Sequence, residues 1–344
     1  MKKIFIKKKK VFLAAAAVAC CITFQGCSKN EVVRSRTFEK IGTFIQVSVH
    51  TSEEEKAQKA FDTVSAVFDE VNIQMSAHRE DSLLSRINRS SGIEPVRIPE
   101  GLFGLIENSL AYSEKTGGAF DLTVGPVIKL YGFYRNKGYL PSEKELKKTL
   151  ELVGWKNVRM KPEDSSIFLA KKRMLLDLGA IAKGYAVDLA IERLKKRGVT
   201  NALVNAGGNL YALGDKDGDG WSVGVQHPLN ENKIYLTLGM KDLAIATSGC
   251  YQRYVTVGGK TYCHILDART GLAINNGMLS ATIIGPNAKD TDALATCVML
   301  LGPDEGFAFL RDFKGFEGLM LYLPPGEPAK MLEKRTPGFS RFIR

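Results

Sequence analysis

The spacing of apolar positions changes several times along the chain, and each change predicts an element. Residues 38–50 read as a strand. Beyond it, Ala57, Phe61, Val64, Phe68 and Val71 recur at the spacing of a helix with one buried face. Ser52 precedes that run as its cap, and Glu55, three residues on, completes a capping box. A short helix is predicted over 81–88, a longer one over 100–116 stopped by Gly117-Gly118, and another over 142–152. Residues 174–178 read as a buried strand that runs into Gly179 and a helix of about 181–197. From 200 to 285 short β-rich segments follow one another, separated by Gly, Asn and Pro. A strong helix over roughly 290–301 and a strand near 318–323 complete the pattern. Helices and strands mix without regular alternation, which predicts an α+β fold built as one large mixed domain.

The N-terminal residues fall outside that pattern. Lys2, Lys3 and Lys7 to Lys10 form a positive start, and Val11 to Phe24 is an alanine-rich apolar run. This order predicts a secretory signal peptide over 1–26, the run being too short for a comfortable membrane span. A single-pass anchor that stays in the chain is the other reading of the same residues. Gly26-Cys27 places a cysteine after a small residue at the end of the run, as in lipoprotein processing, with Ala19-Cys20 as the alternative. Cys27 is therefore the expected lipidation site, residues 27–36 a lipidated polar tether, and 37–344 the functional domain. Acyl chains would then hold an exported protein on the extracytoplasmic side of the cell or inner membrane.

Charge and cysteine content add exclusions. The whole chain carries 48 − 37 = +11 charges, and removing the six signal lysines leaves 11 − 6 = +5. Charged residues are interspersed, so no basic patch calls for nucleic acid. Beyond the signal and Cys27 only Cys250, Cys263 and Cys297 remain, with no CxxC and no Cys/His zinc spacing. An oxidising compartment permits a Cys250–Cys263 bridge, but three buried thiols are the expectation. Asp215-Lys216-Asp217-Gly218-Asp219-Gly220 copies the first half of an EF-hand loop, yet its twelfth position is Gln226 and no helices flank it. It reads as a polar hairpin turn.

Five segments carry candidate chemistry. Gly117-Gly118-Ala119-Phe120-Asp121, continuing through Thr123, Gly125 and Pro126, lets backbone approach a ligand and ends on an acid; a helix C-cap and turn explains the spacing equally well. Asp177-Leu178-Gly179-Ala180-Ile181-Ala182-Lys183-Gly184-Tyr185 sets an acid at a strand end and a lysine in a first helical turn. That lysine opposes the helix dipole, so holding a phosphate or a flavin carbonyl gives it a reason to be there. Asn205-Ala206-Gly207-Gly208-Asn209 opens a pocket or makes a tight turn. Ser248-Gly249-Cys250-Tyr251-Gln252-Arg253 leads to His264-Ile265-Leu266-Asp267, where a histidine near an acid is a general-base candidate among only four histidines. In Asp290-Thr291-Asp292-Ala293-Leu294-Ala295-Thr296, Asp292 and Thr296 stand i and i+4 on one helix face, oxygen ligands that suit Mg2+.

In this order the segments resemble the ApbE family of FAD:protein FMN transferases, from Ile41-Gly42-Thr43 to about Leu301. The resemblance rests on Ala119-Phe120-Asp121 with Thr123 to Pro126, Asp177 to Asp188, Ser248-Gly249 with Tyr251, His264 to Gly271, and Asp292 to Thr296. It implies an ApbE-like α+β domain and transfer of FMN from FAD to a serine or threonine hydroxyl of a target redox protein, with AMP released. It also implies FAD in contact with Ile41, His78, Ala119, Phe120, Asp121, Asp177, Lys183 and Leu266. Mg2+ would sit between the Ala180 backbone oxygen, Asp292, Ala295 and Thr296. His264 would lie near the reacting hydroxyl, with Asp267 as an alternative base or as the residue orienting the imidazole. Ile41, His78, Asn209 and Ala268 depart from residues common in the family at those places. An FAD pyrophosphatase with water as acceptor and a non-catalytic flavin-binding lipoprotein are the competing expectations.

Overall fold

The first apolar stretch makes two strands. The computed structural model describes residues 31–133, 139–216, 218–251, 254–257, 260–327 and 330–344. The expected signal peptide and Cys27 lie outside them. Strand β1 (Val32–Lys40) pairs antiparallel with β2 (Thr43–Thr51) from Val32 opposite Thr51 to Lys40 opposite Thr43. Between them Ile41 and Gly42 both take positive φ, 47° and 73°, as a two-residue hairpin turn of this hand requires. Residues 32–36, expected in a tether, are therefore ladder strand.

Helix α1 (Glu54–Met75) follows, then α2 (Leu83–Arg89), the two-residue β3 (Val96–Arg97) and α3 (Glu100–Lys115). Next come α4 (Gly125–Tyr131), α5 (Glu143–Leu150), β4 (Val158–Lys161), β5 (Ser166–Leu169) and α6 (Ala182–Lys196). The β-rich stretch supplies β6 (Ala202–Ala206), β7 (Asn209–Leu213), β8 (Trp221–Gln226), β9 (Ile234–Met240) and β10 (Leu243–Gly249). It continues with β11 (Tyr254–Val257), β12 (Lys260–Cys263), β13 (Leu266–Asp267), β14 (Leu272–Ala273) and β15 (Met278–Gly285). Helix α7 (Ala288–Arg311), β16 (Glu317–Tyr322) and β17 (Leu332–Arg335) close the order.

Eight strands form one antiparallel sheet in the order β1-β2-β6-β7-β10-β15-β16-β17. Side chains alternate between its faces. Tyr211, Ala244, Ala246, Ala281, Ile283 and Met320 pack toward the helices, where α1 lies on β1 and β2, α6 on β6 and β7, and α7 on β10, β15 and β16. Leu210, Ala212, Ile245, Ile284, Leu319 and Leu321 face the opposite way, onto the β8–β9 hairpin and Phe339. Helix α7 is apolar around most of its surface because it sits between the sheet and α6. It bends at Gly302, which leaves helical geometry just before Pro303. The fold class is α+β, as expected.

Several local expectations differ from what is observed. Helix α1 starts after Glu53 with no side-chain cap, because Thr51 Oγ1 accepts the Glu53 N–H at 3.2 Å and Ser52 is displaced from the capping position. Residues 174–178 make a single bridge, Leu175 with Val124, rather than a strand. Cys250 and Cys263 are joined in a disulfide, while Cys297 stays a buried thiol. The register of β11 and β12 sets Tyr254 opposite Cys263 and brings the flanking Cys250 within 4.9 Å (Cα to Cα) of Cys263, inside bridging range. The Asp215–Gly220 segment joins β7 to β8, with Asp217 outside the described residues.

Candidate functional site

A glycine lets two helices meet. A Cβ at Gly184 in α6 would fall 2.1 Å from the Ala288 carbonyl oxygen of α7, so only glycine admits this approach. The Gly184 N–H donates to Asp292 Oδ2 at 3.0 Å. Gly184 lies in the first turn of α6, where N–H groups have no acceptor within their own helix, and Asp292 supplies one. Lys183, one residue earlier, holds its Nζ 2.9 Å from the Gly179 carbonyl and 3.4 Å from each oxygen of Asp292. Asp292 is 3% exposed.

One turn along α7, the Thr296 hydroxyl lies 3.3 Å from Ser248 Oγ on β10 and donates back to the Asp292 carbonyl at 3.3 Å. The start of α7 is fixed from two sides. Asn287 caps it, accepting from the Asp290 N–H at 2.8 Å. Asp188 of α6 accepts from the Ala288 and Lys289 N–H groups at 2.7 and 2.8 Å, a carboxylate on a helix N-terminus. Burial pushes the Asp188 carboxyl up to about 6 despite those two bonds. Tyr112 donates to Asp290 Oδ1 at 3.0 Å, and burial together with the Asp290 charge drives its phenol far upward.

The Ala119–Asp121 turn is wedged between two other predicted segments. The Ala268 N–H donates to the Ala119 carbonyl at 3.1 Å, and the Asp177 N–H to the Leu122 carbonyl at 2.7 Å. All three side chains of the turn are buried. Phe120 meets Tyr112 edge-on at 6.0 Å. Asp121 Oδ1 accepts from the Thr123 N–H and hydroxyl, both at 2.7 Å, and its Oδ2 accepts from the Trp155 N–H at 2.8 Å. Burial raises the Asp121 carboxyl above its ordinary value, opposed by those bonds. Those three bonds make this acid a builder of the turn.

His264 follows the disulfide-bonded Cys263, and Cys250 follows Ser248-Gly249, so the bridge ties the two segments together. Asp267 is held by Arg269, which donates its backbone N–H at 2.9 Å, Nε at 3.0 Å and Nη2 at 2.6 Å. Leu266 packs with Val127, Tyr131 and Leu146. A closed circuit results. It runs from Ala119 through Ala268 to His264, across the disulfide to Ser248, then Thr296, Asp292, Gly184, Asp177 and Leu122. Beside it opens a recess of about 270 Å³ lined by Gly118, Asp121, Leu150, Val153, Gly154, Trp155, Ala268 and Arg269. That volume suits one ring system, not a whole dinucleotide.

The circuit gathers Ala119, Phe120, Asp121, Asp177, Ala180, Lys183, His264, Leu266, Asp267, Asp292, Ala295 and Thr296. Ala295 is fully buried and offers no side-chain donor. Asp177 turns its Oδ1 onto the Gly179 N–H at 2.8 Å. Ile41 lies in the β1–β2 turn, at the sheet end where the Gly207 N–H donates to the Phe44 carbonyl at 3.1 Å and the Gly208 carbonyl accepts from the N–H of Thr247, next to Ser248, at 3.3 Å. His78 is exposed on the segment after α1, its N–H on Ser76 Oγ at 3.2 Å. Among the described residues no three His, Cys, Asp or Glu side chains form a metal cluster. The donors beside Asp292 are instead hydroxyls and a carbonyl, hard oxygens that suit Mg2+ better than zinc. Ser248 and Asp188 have no assigned role in the sequence reading, although Ser248 precedes Gly249 and Asp188 ends the Asp177–Asp188 segment; only packing reveals their partners.

The chain is similar to known proteins over most of its length. The ApbE family model matches residues 41–320. The FAD:protein FMN transferase of Treponema pallidum is 32% identical over 92% of this chain and 93% of its own length. That of Escherichia coli K12 is 28% identical, covering 96% and 97%. The crystal structure of the ApbE protein of Thermotoga maritima superposes with a TM-score of 0.81 at 30% identity, covering 91% of this chain and all of that one. The flavin transferase ApbE of Vibrio cholerae gives 0.80 at 26% identity, covering 91% and 99%. With most of its length matched in sequence and fold, the chain belongs to the ApbE family.

Proposed function

We propose that the chain is an enzyme that transfers FMN from FAD to a serine or threonine hydroxyl of an acceptor protein, in a Mg2+-dependent reaction that releases AMP. The observation that carries this reading is the circuit. It links the Ala119–Asp121 turn, Lys183, the segment that begins at His264 and the Asp292–Thr296 face through hydrogen bonds, a disulfide and short stretches of chain, and the chain's relatives are FAD:protein FMN transferases. Backbone at Ala119 to Asp121 and at Leu266, with Ile41, His78 and Asp177, binds FAD. Lys183 meets its phosphates.

Asp292, Thr296 and the Ala180 carbonyl hold the metal, with Ala295 beside it. When bound, Mg2+ neutralises charge on the pyrophosphate oxygens. The acceptor hydroxyl oxygen attacks the FMN phosphorus, and the bond from that phosphorus to the bridging oxygen breaks. AMP leaves with that oxygen. His264 takes the hydroxyl proton. Asp267, committed to Arg269, shapes the turn behind it. Export and a lipid anchor at Cys27 would place the enzyme beside membrane redox complexes, whose subunits are the acceptors this reading expects.

Incubation with FAD, Mg2+ and a threonine-bearing acceptor domain tests the proposal. In-gel flavin fluorescence on the acceptor and AMP release are expected together, and both are lost with EDTA or in Asp292→Ala. AMP and free FMN without a labelled acceptor would make the protein a pyrophosphatase. FAD binding without AMP would make it a carrier.

A further inference from the structure

Asp292 presents a problem that its surroundings solve only loosely. A carboxylate 3% exposed needs a counter-charge. The Gly184 N–H supplies one hydrogen bond. The nearest cation in the ion-pair geometry is Lys183, whose Nζ stands 3.4 Å from both oxygens. A firm ammonium–carboxylate bond is shorter, about 2.7–2.9 Å. The ammonium is instead closest to the Gly179 carbonyl, at 2.9 Å. It therefore sits between the carbonyl of Gly179, next to Ala180, and the two Asp292 oxygens, as a cation would, with no tight bond to either carboxylate oxygen. Lys183 is also well suited to leave. Its side chain is 29% exposed, it has a long flexible stem, and a first-turn position that the helix dipole disfavours.

We propose that the Lys183 ammonium is a resident placeholder for the divalent metal, neutralising Asp292 until the metal displaces it. The inference rests on the Mg2+ reading of this site. It differs from a purely phosphate-binding role for the lysine, because it makes Lys183 and the metal competitors for one carboxylate. Exchange of one cation for the other keeps the buried carboxylate paired throughout.

Competition has a signature that a structural or phosphate-binding lysine lacks. Mn2+ binding is measured by calorimetry on the full chain without FAD. Lys183→Met removes the competing charge and should tighten Mn2+ about tenfold, the order of magnitude for deleting a nearby unit charge at a poorly solvated site. Lys183→Arg keeps the charge in a fork that grips a carboxylate in two places, and should weaken Mn2+ below wild type. Unchanged or weaker binding in Lys183→Met, with wild-type thermal stability, would overturn the proposal. Asp292→Ala separates the two layers. If it binds Mn2+ as wild type does, the metal reading itself fails. If it loses binding while Lys183→Met fails to tighten, only the placeholder fails.

Discussion

Replacing Gly184 by alanine tests whether the α6–α7 crossing builds the site. The added Cβ would meet Ala288 O at 2.1 Å, Ala288 C at 2.6 Å and Lys289 Cα at 2.8 Å. All three belong to the α7 backbone, which cannot rotate aside as a side chain could. The helices must part by about 1 Å to restore ordinary carbon contacts. Overpacking of this kind costs about 1–3 kcal/mol. Stretching the Gly184 N–H away from Asp292 loses a bond to a charged group, worth about 1.5–3 kcal/mol. Alanine's better helix propensity returns about 1 kcal/mol. The sum is a net loss of about 1.5–5 kcal/mol with a displaced Asp292. Gly104 is the control, since it lies within α3 and a Cβ there meets nothing within 4 Å. Gly104→Ala should stabilise by up to about 1 kcal/mol. Urea unfolding and Mn2+ calorimetry on both variants give the comparison. A Gly184→Ala protein that unfolds and binds Mn2+ like Gly104→Ala would refute the reasoning.

His264→Ala should slow FMN transfer by about 10²–10⁴-fold while FAD and metal affinities change little; a matching loss of FAD binding, read by fluorescence titration, would make His264 a ligand-positioning residue instead. Asp188 is raised from 3.8 to about 6 in the folded chain, so its contribution to stability is greatest below the lower value and declines as pH rises through the upper one. The stability of wild type relative to Asp188→Asn, from urea unfolding between pH 4 and pH 7, should therefore fall by up to about 3 kcal/mol with rising pH, and a flat difference would rule this out. Cys27→Ser should leave the precursor unprocessed and without acyl label in a fatty-acid labelling experiment, whereas normal labelling would move the anchor to Cys20 or Cys21.

How much of this was legible in the sequence depends on whether a pattern is local. Helix α1 was, because Phe61, Val64, Phe68 and Val71 define its buried face without reference to anything else. Its start was not. Ser52 and Glu55 match the same Ser-x-x-Glu pattern as Ser142 and Glu145, which form a true capping box on α5. At the earlier site β2 runs through Thr51, whose own hydroxyl takes the N–H of Glu53, the residue that stands at the cap position instead of Ser52. The β1–β2 hairpin was missed because its turn uses Ile41 at φ 47°, a conformation rare for a β-branched residue and so unmarked by turn chemistry. The disulfide depends on where β11 and β12 return the chain, which no spacing of cysteines reveals.

The candidate site shows the same division at finer grain. Motif residues are not all residues that touch a ligand. Asp121 looks like a ligand-orienting acid, and Thr123 and Trp155 also engage both its oxygens in building the turn. Phe120 and Leu266 look like ring contacts, yet each is turned into an apolar cluster. These side chains fix a backbone surface, and a change there would act by moving that surface. Groups at the circuit whose chemistry suits phosphoryl transfer are the Lys183 ammonium, the His264 imidazole, and the oxygens of Asp292, Thr296 and Ser248. Lys183 is mounted on α6, Asp292 and Thr296 on α7, Ser248 on β10 and His264 just after β12; the disulfide, the Gly184 and Lys183 contacts to Asp292 and the Ser248–Thr296 hydroxyl contact tie these elements together. Phosphoryl transfer asks for positioning and charge stabilisation more than for covalent chemistry. A site whose supports outnumber its reactive groups is what that demand produces.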